Sequence, residues 1–290
     1  VSINVSRFDA NKHLALAVVG DAKVSLDELS LALGDWKAGE EWNKKSQVEL
    51  KSWNEYVDKE SAPSNQEVPS YVQVIGAIYK NSDPSDIAVT AAGGLVGEVI
   101  QVWRPRELNT HETEWGFSCM SYEISGALGI KMANPDKEVI SFVGDGSYLL
   151  NNTDIYSSVI TNNKLIIIVC DNGGFAVINR LQLFKGGNEY NNLLKSSNTP
   201  GLVDIDFAKH AESMGAKSEH VSSISDLEEA FKRAKKSKVT YVISIKTHAY
   251  QWLEGSAFWD SPTLEVPTTK ENKEALRLYK EGKSKQRQGV

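Results

Sequence analysis

The stretch Val139-Ile140-Ser141-Phe142-Val143-Gly144-Asp145-Gly146-Ser147 decides how this chain is read. A short, mostly apolar run stops abruptly at Gly-Asp-Gly. Runs of this length, bounded by turn residues, fit strands whose two faces are both covered in a parallel sheet. In open α/β sheets, ligands bind beyond the carboxyl ends of the strands. The two glycines let the backbone turn and approach a ligand closely. The helix that follows, expected from about Asn151–Thr153, offers unpaired N–H groups and the positive end of its dipole to an anion. Asp145 adds a hard oxygen at the same place. A carboxylate beside an anion-binding turn makes sense when a cation sits between them.

The next apolar run, Leu165–Cys170, ends in Asp171-Asn172-Gly173-Gly174-Phe175. The separation 172 − 145 = 27 is what one strand–helix–strand passage requires. On neighbouring strands, Asn172 and Asp145 share one sheet edge. With the Gly174 carbonyl they supply the protein's share of an octahedron around Mg2+, phosphate oxygens and water supplying the rest. Either sequence alone is ordinary turn chemistry. The pair, at the ends of successive buried strands, carries the reading.

Working outward, further strands are expected at Ile87–Ala91 and Val239–Ile245. Helices are expected over Leu95–Trp103, Cys119–Met132, Thr153–Asn162, Ile205–Met214 and Ser225–Lys235, the last capped by Ser225 or Asp226. Regular alternation of this kind predicts an α/β domain over residues 70–260, built on a doubly wound, mainly parallel sheet. Residues 1–35 hold a strand at Ala15–Val19, a turn at Gly20-Asp21 and a helix from Ser25 to Leu33. They read as the end of an α/β domain whose beginning is missing, in a piece cut from a longer chain. Residues 36–69, with Trp36, Trp42, Trp53 and a Ser/Pro-rich stretch, read as an interdomain connection. Residues 261–290 form a charged tail whose helix is expected to be solvated.

The bulk numbers restrict the function classes. The 290 residues are 41% hydrophobic and 24% charged, ordinary values for a globular protein. A net charge of −6 argues against nucleic acid as the partner. No apolar run reaches the roughly 18–20 residues of a membrane span. Cys119 and Cys170 both fall in apolar segments and are expected to be buried thiols, which points to a reducing cytoplasm.

Gly144-Asp145-Gly146, followed by Asp171-Asn172 and Gly174, resembles the signature of thiamine-diphosphate enzymes, written GDG and then NN. The first Asn of that pattern is Asp171 here; the second is kept. By this resemblance Asp145, Asn172 and the Gly174 carbonyl bind Mg2+, while Gly144, Gly146, Ser147 and Phe175 belong to the diphosphate site. The stretch from Gly116 to Gly129 is similar to the same domain of acetolactate synthases, where a bulky apolar residue wedges the cofactor into a bent form. Met120 occupies that position. Ala92-Gly93-Gly94-Leu95-Val96 aligns with the diphosphate-contacting turn after the first strand. Without polar side chains at Leu95 and Val96, contact there, Gly94 included, is expected through the backbone.

Two longer stretches, His111–Glu123 and Gly255–Val266, resemble the trihydroxycyclohexane-dione hydrolases of inositol catabolism, and the likeness covers nearly the whole chain. That family uses thiamine diphosphate to open a cyclic 1,2-diketone by C–C hydrolysis. The resemblance implies a small-molecule substrate and a homodimer or homotetramer, and makes residues 1–35 the C-terminal remnant of a preceding central domain. It also implies a pyrimidine-binding domain, carrying the activating Glu, outside these residues, so that the fragment alone is inactive. His111, Glu114 and Glu123 are the candidate catalytic groups, with Glu112 beside them; a polyhydroxylated substrate needs such hydrogen-bonding side chains. A zinc motif beginning at His111-Glu112 is rejected, since Trp115 stands where HExxH needs its second His. The loop Ile178–Leu194 has less Gly than the family leads one to expect, and is expected to cover the site. Two other readings stay open: a 2-keto-acid enzyme of the acetolactate synthase or decarboxylase type, and a non-catalytic cofactor-binding subunit that needs a partner chain.

Overall fold

The computed structural model describes residues 1–12, 15–64, 66–114, 116–198, 204–255, 260–261 and 263–286. The expectation about Trp115 and part of the Gly255–Val266 stretch therefore lie outside the described residues. The chain divides into two compact units. One holds Val1–Trp53, Ala257–Pro262 and Leu276–Val290; the other holds Asn54–Ser256 and Thr263–Ala275.

The first unit begins β1 (Ser2–Asn4), α1 (Arg7–Ala10), β2 (Ala17–Val19) and α2 (Ala22–Leu33). The two strands pair in parallel, Ser2 opposite Ala17. Ser6 caps α1 and Asp21 caps α2 by accepting the Val24 N–H at 3.0 Å. The long helix α3 (Glu40–Glu60) follows in sequence.

The second unit contains α4 (Tyr71–Asn81), β3 (Ile87–Thr90), α5 (Gly93–Val102), β4 (His111–Thr113), α6 (Tyr122–Ala133), β5 (Val139–Gly144), α7 (Asp145–Leu150), α8 (Asp154–Ile160), β6 (Ile166–Asp171), α9 (Ala176–Phe184), α10 (Phe207–Ser213), β7 (Lys217–Val221), α11 (Ile224–Lys236) and β8 (Tyr241–Lys246). A last helix, α12 (Lys270–Lys285), starts in it. Six strands form one all-parallel sheet in the order β4-β3-β5-β6-β8-β7. This is the doubly wound α/β arrangement expected. The chain leaves β3 toward β4 on one side and resumes at β5 on the other, so the sheet order reverses between β3 and β5. Ligands of such sheets bind at that reversal.

The inner strands are buried on both faces, which is why they read as continuous apolar runs: every residue of β6 is buried, and all of β5 except Gly144. The edge strands are different. His111–Thr113 and Lys217–Val221 are polar and partly exposed, and periodicity gave no sign of either. Helix starts follow local chemistry. Ser70 and Gln73 form a capping box on α4, and Ser223, not Ser225 or Asp226, caps α11 by accepting the Asp226 N–H at 3.1 Å.

Two corrections bear on the site. The helix after Gly-Asp-Gly starts at Asp145 itself rather than near 151–153, because Gly144 adopts the extended N-cap conformation (φ −77°, ψ 157°). Extended Asn151 then separates α7 from α8. Likewise α6 begins at Tyr122 rather than Cys119. Cys119 is exposed, against the expectation of a buried thiol, while Cys170 is buried. No described helix is long and apolar enough to cross a membrane.

Glu98 on α5 gives the domain a pH dependence. It is buried, and both carboxylate oxygens accept the Leu253 N–H at 3.1 Å. Burial pushes its pKa up to about 7 against that hydrogen bond. A raised folded-state pKa means that the favourable contribution is complete below the unfolded value, near 4.5, and is lost as pH rises through about 7. Glu98→Gln keeps an acceptor for Leu253 and removes the charge. Thermal melting should show the wild type losing stability between pH 5 and 8 relative to the variant. Parallel curves would mean that Glu98 stays ionised throughout.

Candidate functional site

At the reversal point lies a cavity of about 230 Å3 lined by three wall segments that follow strands: 92–95 after β3, 144–147 after β5, and 172 with 174–178 after β6. Ser118, Met120 and Tyr71 complete the lining. Helices α5, α7 and α9 all begin in this wall, and none has a side-chain cap on its first N–H groups. Of the helices that start away from it, α10 and α11 are capped by Asp206 and Ser223, while α6 and α8 lack a side-chain cap; α4, whose Tyr71 lines the cavity, is capped by Ser70. Uncapped helix starts converging on one cavity are an anion's environment.

The two turns singled out in the sequence meet here. Gly144 stands opposite Cys170 in register, which carries Asp145 beside Asp171 and Asn172. Asp145 is buried, and its Oδ2 accepts the Gly174 N–H at 2.7 Å. Burial, then the nearby Asp171 carboxylate, pushes the Asp145 pKa up to about 7. Asp171 is held from the other side by Lys246 at 2.7 Å. The Asn172 amide nitrogen donates to the Tyr71 hydroxyl, leaving Asn172 Oδ1 buried with no hydrogen-bond partner. A buried acceptor left unpaired costs roughly 1–3 kcal/mol. An oxygen-seeking cation between Asn172 Oδ1 and the Asp145 carboxylate would satisfy one and neutralise the other.

Among the described residues there is no group of three or more His, Cys, Asp or Glu that could hold a metal. A cation here would rest on one carboxylate, one amide and one carbonyl, and on oxygens brought by its ligand. That is a Mg2+–phosphate donor set. The backbone geometry agrees with close packing around such a ligand. A Cβ on Gly146 would lie 2.7 Å from the Phe175 ring, and Gly174 has φ +136°. Residues 173–175 are pinned by the strand-like segment 192–194, through Phe175 N–H to Asn192 O at 2.7 Å and Leu194 N–H to Gly173 O at 2.8 Å. Leu95 and Val96 are buried; Leu95 lines the cavity with Ala92, Gly93 and Gly94, and Val96 is not in its lining.

Met120 lines the cavity from a turn, not from a helix. It sits between Ser118 (φ 50°) and Ser121 (φ 77°), two left-handed conformations that cost a non-Gly residue energy. Tyr71, which the sequence reading passed over, contributes its buried hydroxyl. Its signal was available: the capping box Ser70-x-x-Gln73 fixes the start of α4, and so of Tyr71, at the site.

The three candidate catalytic groups lie outside the cavity lining. His111, on edge strand β4, is half-buried, pairs with the Thr113 hydroxyl at 3.0 Å, and has its pKa lowered by burial. Glu114 is at the surface and accepts the N–H groups of Cys119 and Phe117 at 2.7 and 2.9 Å, which hold its carboxyl below the ordinary range. Glu123 is fully enclosed behind the wall. A larger cleft of about 490 Å3, between residues 59–73 and 250–254, contains none of the site residues.

Comparison with known proteins agrees with this geometry. Residues 91–245, more than half of the chain, match the family described as thiamine pyrophosphate enzyme, C-terminal TPP binding domain. A curated relative from Clostridium tetani, named 3D-(3,5/4)-trihydroxycyclohexane-1,2-dione hydrolase, is 35% identical over 89% of this chain and 45% of its own. One of the same name from Geobacillus thermodenitrificans is 33% identical over 97% of this chain and 48% of its own. The chain thus spans about half the length of the curated relatives it matches. Among solved structures, a thiamine diphosphate-dependent 4-hydroxybenzoylformate decarboxylase from Rhodococcus jostii superposes with a TM-score of 0.55. It is 22% identical and covers 64% of this chain and 34% of its own. At that identity the superposition speaks to the fold alone. Family match, parallel sheet and cavity together place the chain in the thiamine pyrophosphate enzymes, as a member of their C-terminal TPP-binding domain family.

Proposed function

We propose that this chain is the diphosphate-binding half of a thiamine-diphosphate- and Mg2+-dependent hydrolase that opens a cyclic, polyhydroxylated 1,2-diketone of the trihydroxycyclohexane-dione type, in inositol catabolism in the cytoplasm. The observation that carries the site is the unpaired, buried Asn172 Oδ1 beside the buried Asp145 carboxylate at adjacent strand ends. Asp145, Asn172 and the Gly174 carbonyl would hold Mg2+. The backbone of Gly94, Gly144, Gly146 and Ser147 would receive the diphosphate, with Phe175 closing one wall. Thiamine diphosphate, when bound, supplies a carbon nucleophile and an electron sink for breaking a C–C bond next to a carbonyl.

The protein's own work is to bind, orient and exclude water. Met120, held between two strained serines, projects a bulky apolar side chain into the cavity where the cofactor's bend would rest on it. Segment 192–194 fixes the chain after the metal ligands. His111, whose pKa burial lowers, is suited to meet substrate hydroxyls by hydrogen bonding. Both Glu114 oxygens are taken by main-chain N–H groups, which suits it to shape the turn that leads to Met120. The relatives' names support the substrate class. The same reading makes residues 1–35 the end of a central domain. It also makes the working unit a homo-oligomer in which a pyrimidine-binding domain supplies the activating Glu.

Product analysis tests this. With thiamine diphosphate and Mg2+, the full-length protein should convert the cyclic diketone to a ring-opened acid carrying one oxygen from solvent water. Release of CO2 from 2-keto acids, with the diketone untouched, would replace the reading by the decarboxylase type. Cofactor binding without turnover of either would leave a non-catalytic binding subunit.

A further inference from the structure

One buried carboxylate outside the cavity lining touches three of the segments that build the wall. Glu123, in the first turn of α6, is 1% exposed. Its Oε1 accepts the N–H of Ala92, the N-cap of α5, at 3.2 Å. Both of its oxygens lie 3.0 Å from the Ser147 hydroxyl, which donates to them. Ser147 Oγ in turn accepts the N–H of left-handed Ser121 at 2.7 Å. The main chain of Glu123 is fixed as well, its carbonyl accepting the hydroxyl of buried Ser141 on β5 at 2.7 Å. The residues so tied belong to the turn after β3, the turn that carries Met120, and the Gly-Asp-Gly-Ser turn after β5. Strained conformations such as that of Ser121 persist only where surrounding contacts over-determine them. The Ser147–Glu123 relay is the contact that holds the Ser121 end of the Met120 turn, as Glu114 holds the Phe117–Cys119 end.

We propose that Glu123 is the positioning residue of the cofactor site, a buried anchor that sets the α5 start, the Met120 turn and the Ser147 turn at their mutual spacing. This rests on the cofactor reading above. Because the Ser147 hydroxyl hydrogen points at Glu123, Ser147 meets a diphosphate through its backbone N–H, and its side chain serves the anchor. Glu123 itself moves no proton to or from substrate.

The test is calorimetric titration of thiamine diphosphate with Mg2+ into the full-length protein, alongside melting temperatures, for wild type, Glu123→Ala, Glu123→Gln, Ser147→Ala and the double Ala variant. Partners that orient metal or phosphate ligands typically change affinity by about 10–100-fold when removed. Glu123→Ala should raise Kd at least tenfold. Glu123→Gln should stay within about threefold, since its amide can accept from Ala92 and donate to Ser147 Oγ. Ser147→Ala should weaken binding, and the double variant should be no weaker than the worse single one, because both cut one relay. A folded Glu123→Ala variant with unchanged affinity, or additive losses in the double variant, would overturn the inference while leaving the cofactor reading intact. Should Glu123→Ala not fold, Ser147→Ala carries the same test, with a loss under threefold overturning it. No binding by the wild type overturns the cofactor reading, and the inference with it.

Discussion

Asp145→Asn should lose at least about 100-fold in Mg2+-dependent affinity for thiamine diphosphate while melting, without cofactor, no lower than the wild type. The two effects have opposite origins. For the fold alone, Asp145 is a liability: a carboxylate enclosed beside a second carboxylate, Asp171. Asn keeps the acceptor for the Gly174 N–H and removes the buried charge. For the ligand, the same change removes the one anionic protein oxygen in the proposed Mg2+ shell, and a neutral amide is a far weaker donor to a hard divalent cation. Sites built for function commonly lower the stability of the empty fold. Calorimetry and melting on one preparation check both halves. Unchanged affinity would remove Asp145 from the metal site, and a large fall in melting temperature would mean that Asp145 supports the fold rather than burdening it.

Gly174→Ala should be the most damaging glycine replacement in the cavity wall, costing roughly 2–4 kcal/mol of stability and abolishing cofactor binding. At φ +136° an L side chain is strained whatever the surrounding space. Here there is no space. The added Cβ would lie 2.5 Å from the Asn192 carbonyl oxygen and 3.1 Å from Leu193 Cα, both backbone atoms that no rotamer change can move. Relief would require separating 173–175 from 192–194, which displaces Asn172 and the Gly174 carbonyl together. Gly129→Ala is the control. It sits inside α6 with nothing within 4 Å of the added methyl, and should stabilise by up to about 1 kcal/mol. Urea denaturation of the two variants should therefore shift in opposite directions; equal shifts would refute the packing argument.

How much of this could be read in the sequence depends on burial. The inner strands β3, β5, β6 and β8 were legible to within a few residues, because both faces are covered and their composition is mostly apolar. The edge strands β4 and β7 were not, since a strand with one wet side and a polar sequence looks like a loop. Asp145, Asn172 and Gly174 stood out because their turn chemistry follows apolar runs directly. The start of α7 did not, as nothing in Asp145–Leu150 distinguishes a helix beginning at the glycine turn from one beginning six residues later. Cys119 misled for a related reason. Its apolar neighbours suggested a helix interior, whereas Ser118 and Ser121 turn the chain into left-handed conformations that leave the thiol exposed. Glu123 was visible as a carboxylate near the site. Its partners, Ala92 and Ser147, lie 31 and 24 residues away and are brought to it only by the crossover from β3 through α6 to β5.

The central claim is that Asp145, Asn172 and Gly174 hold Mg2+ against a diphosphate. The most direct test is titration of thiamine diphosphate into the full-length protein with Mg2+ and again with the metal chelated. Saturable binding that appears only with Mg2+ is the predicted result. Equal binding without the metal, or none from a folded protein in either condition, would contradict it.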